Sequence, residues 1–413
     1  MTAAAELFVP PSRFGDASRC ATRAHGTRLH FADGTSALCG TSGLWNVNLG
    51  YGDAVVADAI AAASREASYL SLFRYGHVYA ERAAEALLDV ARPHEYRRVL
   101  FSTAGGAALD AAIKIARQHA RLAGSPERRL VVALRGSYHG MTFGAYGLTG
   151  EDLGQAGYGV DQRLVRHVDP ADPAELSRLL DLQGGAIASV TLEPVLGSGA
   201  HVVSPAVVDA VLRARDEHGF LVVADEVASG FGRTGPVFAS HAWPGQPDLL
   251  VTSKGLTNGT CAASAVLWAP RVVDAFDRND AMLLHGETQA GSPQSCAAIE
   301  ATIAQLHALD ALARGDAVSA RLDRWLAECA ALPGVGSARG AGCFRALELC
   351  MPDGSPAGPE EVARVVAACR AAGAIVHPGP ACIQLIPALT YEEADLDALL
   401  DSVACALARR AGA

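Results

Sequence analysis

The chain has 413 residues, half of them hydrophobic, and a formal net charge of −10. Such a chain can bury a large core in two or three domains, and its acidity argues against a nucleic-acid or anionic-membrane partner. The ten cysteines form no CxxC pair and no zinc-like spacing with histidine, so no metal site is expected. The N-terminus lacks a charged stretch leading into an apolar one, and no apolar run reaches the roughly 20 residues that cross a bilayer. A reducing cytoplasm is the expected setting.

Residues 1–35 read as irregular, apart from a strand over 28–31 and a turn at Asp33-Gly34, half of a hairpin. A glycine-punctuated loop follows over 40–52 and carries Trp45, a make-up that suits a pocket lining. Asp53 is placed to cap the next helix. A second aromatic loop over 72–79, with Tyr75, leads into a helix over 80–91. From residue 98 strands and helices alternate, which predicts a largely parallel sheet with helical crossovers. Strands are expected over 99–101, 130–134, 187–192, 220–224, 249–252 and 262–268, with helices over 107–123 and 205–218. Beyond about 295 the texture changes. A helical stretch over 294–330 precedes a strand-turn-strand over 335–349, a helix over 359–372, two short strands and a last helix over 391–410. That grouping predicts a separate α+β domain.

Only two of the 34 basic Lys and Arg residues are lysine, Lys114 and Lys254. Arginine cannot lose its proton near neutral pH, so a chemical task that needs an amine falls to lysine. Lys114 follows Asp110 by four residues on a helix, which reads as a surface ion pair. Lys254 instead follows the apolar run Leu249-Leu250-Val251 and precedes Gly255, which puts it at a strand end, where α/β sheets build their sites. Asp225 ends the preceding apolar strand. Gly105-Gly106 joins a strand to a helix, a turn that suits a phosphate because a helix N-terminus offers free N–H groups. A phosphate turn, an acid and a lysine at one end of a parallel sheet are what pyridoxal phosphate requires.

In order along the chain, residues 44–52, 101–117, Tyr138-His139-Gly140, Glu193-Pro194, 225–235, Lys254-Gly255, His285-Gly286-Glu287-Thr288 and Arg339-Gly340 resemble class III aminotransferases. The resemblance implies fold type I: a seven-stranded, mainly parallel sheet in a large domain (53–297), with a smaller α+β domain built from 1–52 and 298–413. It implies that Lys254 carries pyridoxal phosphate as a Schiff base and then moves protons. Asp225 would pair with the ring nitrogen, Val227 and Tyr138 would hold the two ring faces, and Gly105 and Gly106 would bind the phosphate. Thr288 would reach the phosphate of a neighbouring subunit, making a homodimer with shared sites. Arg233 reads as structural.

Several positions depart from the family pattern. The phosphate motif, Ser-Gly-Ser-Glu in relatives, is Ala104-Gly105-Gly106-Ala107. A glutamate and an arginine that form a switchable pair in many relatives are replaced by Ser198 and Gln384. Losing both together leaves no unpaired charge. The expected acceptor is therefore a ketone or aldehyde without a neighbouring carboxylate, with Trp45, Tyr75, Ser198 and Gln384 lining its pocket, unless Arg74 or Arg345 supplies a substitute cation. The 40–52 loop also resembles aminotransferases of daptide-type peptide biosynthesis, which implies a C-terminal peptide ketone as acceptor. A small-molecule omega-amino-acid or amine–pyruvate transaminase is the alternative. An aminomutase, epimerase or decarboxylase on the same fold is a further one.

Overall fold

The computed structural model describes residues 3–411; residues 1–2 and 412–413 of the expected outer segments lie outside that range. A seven-stranded sheet forms the centre. Its spatial order is Arg98–Ser102, Ser264–Trp268, Leu249–Thr252, Leu221–Asp225, Ile187–Leu192, Leu130–Leu134 and Val165–Val168. Ser264–Trp268 runs antiparallel to both neighbours, and the other pairings are parallel. The five inner strands are buried along their whole length because helices cover both faces. Val131, Val223, Leu249 and Val251 pack against the helix Gly105–Leu122. The alternate residues Val132, Leu134 and Val222 face the helices Pro173–Gln183 and Pro205–His218. Leu250 and Leu267 face Val78–Val90 and Pro293–Ala308.

A second core joins Leu38 and Leu49 to side chains between Leu306 and Leu407. The strand Ala374–Ile375 extends the N-terminal hairpin by pairing parallel to Ser36–Cys39. A four-stranded sheet, ordered Val335–Ala341, Phe344–Leu349, Cys382–Leu385 and His377–Gly379, lies beside it. Arg233 ties the two cores together. It is fully buried and donates to the carbonyls of Cys343 and Pro387 and, at 2.7 Å, to Asn48 Oδ1.

Three details differ from the sequence reading. The stretch read as one helical region over 294–330 is two helices, Pro293–Ala308 and Ala311–Cys329, broken where Asp310 takes a left-handed φ of 47°. The edge strand Val165–Val168 escaped the reading because Arg166 and His167 interrupt its apolar pattern. Asp110 and Lys114 do not pair: Asp110 accepts from the Ala145 amide at 2.6 Å, and Lys114 donates to the Leu284 carbonyl at 3.3 Å.

Candidate active site

The parallel strands all end on one side of the sheet, and their ends supply the site. Leu221–Asp225 delivers Asp225, Ile187–Leu192 delivers Glu193, and Leu249–Thr252 delivers Ser253-Lys254. A cavity of about 340 Å³ lies there. It brings together Gly105, Gly106, Tyr138, Asp225, Val227 and Lys254, with His139, Thr142 and Glu193 beside them.

At the phosphate turn, Ala104 caps the helix Gly105–Leu122 without any side-chain bond, so the first-turn N–H groups are left for a ligand. The turn is tightly packed. A Cβ on Gly105 would stand 3.0 Å from Val227 Cγ1, and one on Gly140 would stand 2.7 Å from Gly106 Cα. The nearby hydroxyls of Ser102 and Thr103 are both bonded to Glu287.

Asp225 is buried, and its two oxygens have different partners. Oδ2 meets His139 Nδ1 at 2.7 Å, and Oδ1 accepts from the Val227 amide at 3.0 Å. Burial alone would lower the His139 pKa, but the Asp225 bond and charge outweigh it and raise it. Glu193 accepts from the amides of Tyr138 (2.8 Å) and Gly197 (3.0 Å). Its burial pushes its pKa up to about 7. Lys254 has a left-handed φ of 48°, and burial lowers its amine pKa against the opposing pull of Glu193 and Asp225. An amine that loses its proton more easily is better suited to attack and proton transfer.

The far side of Lys254 is unlike this. Its Nζ lies 5.2 Å from the centroid of the Trp45 ring, and the His377 ring meets the same indole at 4.4 Å. Gln384 is buried on the strand opposite His377. Ser198 is bonded to Glu151. Arg345 is no substitute cation: it donates to the carbonyls of Gly340 and Gly342 and to Ser319, and pairs with Asp323 at 2.8 Å. Arg74 is exposed. Arg339 donates to the Gly199 carbonyl at 2.6 Å and stands 4.0 Å from Glu348.

Thr288 and Tyr75 are exposed, and neither they nor Trp45, Ser198 and Gln384 line the cavity of about 340 Å³. The motifs Tyr138-His139-Gly140 and Glu193-Pro194 carry no sequence signal for a task of His139 or Glu193. A histidine two strands away from its acid leaves no spacing signal. His377 and Thr142 were missed altogether.

A model of the class III aminotransferase family matches residues 12–407. An omega-aminotransferase of Caulobacter vibrioides is 29% identical over 419 residues, covering 96% of this chain and 95% of its own. A putrescine–pyruvate aminotransferase of Pseudomonas aeruginosa is 29% identical, over 80% of this chain and 77% of its own. Among solved structures, an amine transaminase from an uncultivated Pseudomonas species, with pyridoxal phosphate bound, superposes with a TM-score of 0.90 at 30% identity. It covers 98% of this chain and 99% of that one. The chain belongs to the class III aminotransferases. It is a fold type I enzyme that uses pyridoxal phosphate, and the uncapped helix start and glycine cradle fit that group.

No helix among the described residues is long and apolar enough to cross a membrane. No cluster of metal-ligating side chains occurs among them either.

Proposed function

We propose that this aminotransferase passes its amino group to a ketone or aldehyde whose carbonyl carbon bears no carboxylate. The observation that carries the reading is the neutral wall facing Lys254, where Trp45, His377 and Gln384 stand with no free cation among them. A carboxylate buried there would lack a counter-charge, which is costly. The omega-aminotransferase and putrescine–pyruvate aminotransferase among the relatives support the alternative instead, a small-molecule amine–pyruvate transaminase, because pyruvate is itself an α-keto acid. The C-terminal ketone of a daptide-type peptide is an acceptor of the same class, and it rests on the resemblance of the 40–52 loop alone.

Pyridoxal phosphate supplies an aldehyde that condenses with an amine and a ring that takes up the electron pair of a broken C–H bond. Lys254 would hold it covalently and would then carry the proton between substrate carbon and cofactor. Asp225, fixed by His139 and the Val227 amide, would hold a proton on the ring nitrogen. Tyr138 and Val227 would sandwich the ring, and the Gly105 and Gly106 amides would take the phosphate. Glu193 would fix the Tyr138 backbone through its 2.8 Å bond. The exposed apolar side chains Phe73, Tyr75, Met282 and Leu284 support a homodimer, in which Thr288 and Tyr75 would serve the neighbouring subunit's site. Residues 53–297 would form the cofactor domain, and 1–52 with 298–413 the smaller one. A cytoplasmic location agrees with ten unpaired thiols.

The test is to give the holoenzyme an amine donor and a panel of ketones, aldehydes and α-keto acids, and to identify products by mass. Amination of ketones or aldehydes at least as fast as of matched α-keto acids is expected. Amination of α-keto acids alone would end the reading.

A further inference from the structure

The wall opposite the cofactor has a defined polarity. Cys382 and Ile386 pack in one cluster with Trp45, whereas Ile383 and Leu385 face the other core. Side chains alternate along a strand, so Gln384 lies on the Trp45 face. His377 is directly opposite Gln384 in the antiparallel pair, so it shares that face. Its ring lies 4.4 Å from that of Trp45 at an interplanar angle of 70°, and the same indole lies beneath Lys254 Nζ. The imidazole makes no hydrogen bond among the described residues. Trp45 Nε1, a donor, and Gln384 Oε1, an acceptor, are buried on the same face without partners.

We propose that His377 is a specificity-determining residue whose neutral imidazole hydrogen-bonds an amide carried on the carbon next to the reacting carbonyl of the acceptor. The inference rests on the acceptor reading above and names the polar group that such an acceptor carries near its carbonyl. Burial and the neighbouring Lys254 charge push the His377 pKa down to about 4, so the ring is neutral at physiological pH. A neutral imidazole offers one donor and one acceptor. A carboxylate only accepts, and an ammonium only donates and is repelled by Lys254. An amide presents both functions on separate atoms, as the wall does. Trp45 Nε1 and Gln384 Oε1 extend the same mixed, uncharged character behind the ring. The amide has two sources, a small carboxamide or the backbone of a peptide.

Three acceptors separate the outcomes: N-acetylaminoacetone, 2-hexanone of equal length, and the same amino ketone on the end of a short peptide. The wild-type holoenzyme is expected to favour the amide ketone over 2-hexanone by about tenfold in kcat/KM, the scale of one net hydrogen bond. His377→Ala lowers that ratio about tenfold through KM, and His377→Asn, which keeps a donor and an acceptor, restores part of it. Calorimetry with N-(2-hydroxypropyl)acetamide, which cannot react, should show weaker binding to His377→Ala, with a smaller change for 2-hexanol. The peptide ketone exceeding N-acetylaminoacetone assigns the amide to a chain, and equality assigns it to a small molecule. Equal losses on both ketones, or no amide preference in the wild type, overturn the proposal. If no ketone is aminated at all, the acceptor reading falls separately, and the calorimetric difference still decides whether His377 holds an amide.

Discussion

On the cofactor side of Lys254, Asp225, His139 and Glu193 are buried and bonded to one another or to backbone amides. On the other side Trp45, His377 and Gln384 carry no charge, and the indole N–H and the amide oxygen are left unpaired. The first wall has committed the hydrogen bonds of its two carboxylates in advance, with His139 Nε2 left buried and unpaired, and such fixed partners are the preorganisation that electrostatic stabilisation needs. The second keeps its polar atoms free, and an unmade buried bond costs about 1–3 kcal/mol. Chemistry is thus built into one wall, and recognition is left open on the other.

The largest effect is expected at the residue between the walls. Lys254→Ala should reduce turnover by a factor on the order of 10³ or more, since the amine proposed as both nucleophile and proton carrier is lost. Pre-steady-state and steady-state product formation measure this, with circular dichroism to establish that the variant folds. Asp225→Asn keeps the volume and removes the charge. A loss on the order of 10² in kcat is expected, the scale of one preorganised electrostatic partner. The loss should be the same for every acceptor, whereas a change on the opposite wall alters their ratio. If Asp225→Asn alters acceptor preference, the division between the walls is wrong.

Arg233 holds the walls in register by bonding Asn48, Cys343 and Pro387. Arg233→Met would leave these acceptors buried and unpaired, at a cost of about 3 kcal/mol or more. Urea titration should show that loss. Buried histidines give the smallest effect. Burial pushes His119 and His94 down from an ordinary 6.5 to about 4. Between those values the unfolded chain binds more protons than the folded one, so stability falls as pH drops from about 6.5 to about 4. Each contributes at most about 3 kcal/mol. His119→Gln should flatten the fall in melting temperature over that window and leave acceptor preference alone, separating stability from recognition.

The same contrast explains what the sequence made legible. Gly105-Gly106, Asp225 and Lys254 lie at ends of apolar strands, and strand ends can be read from local pattern. The sheet, the hairpin before residue 40 and the Asp53 cap, which accepts from Val56 at 3.0 Å, were legible for the same local reason. His377 was not: it sits in a three-residue strand, His377–Gly379, and reaches Lys254 only through pairing with Cys382–Leu385 and packing on Trp45. The bond from His139 to Asp225 spans 86 residues and depends on two strand ends meeting. The Asp110–Lys114 pairing failed because tertiary partners, the Ala145 amide and the Leu284 carbonyl, outcompeted a weak surface ion pair.

The central claim is that the open wall accepts a carbonyl without a carboxylate. Its most direct test is a single-turnover experiment: load the holoenzyme with amino groups from a donor amine, remove the donor, and mix with a ketone or its matched α-keto acid. A second-order rate constant for the ketone equal to or above that for the keto acid is the predicted result. A keto acid faster by about tenfold or more, the preference expected of a buried counter-charge for carboxylate, would contradict the account.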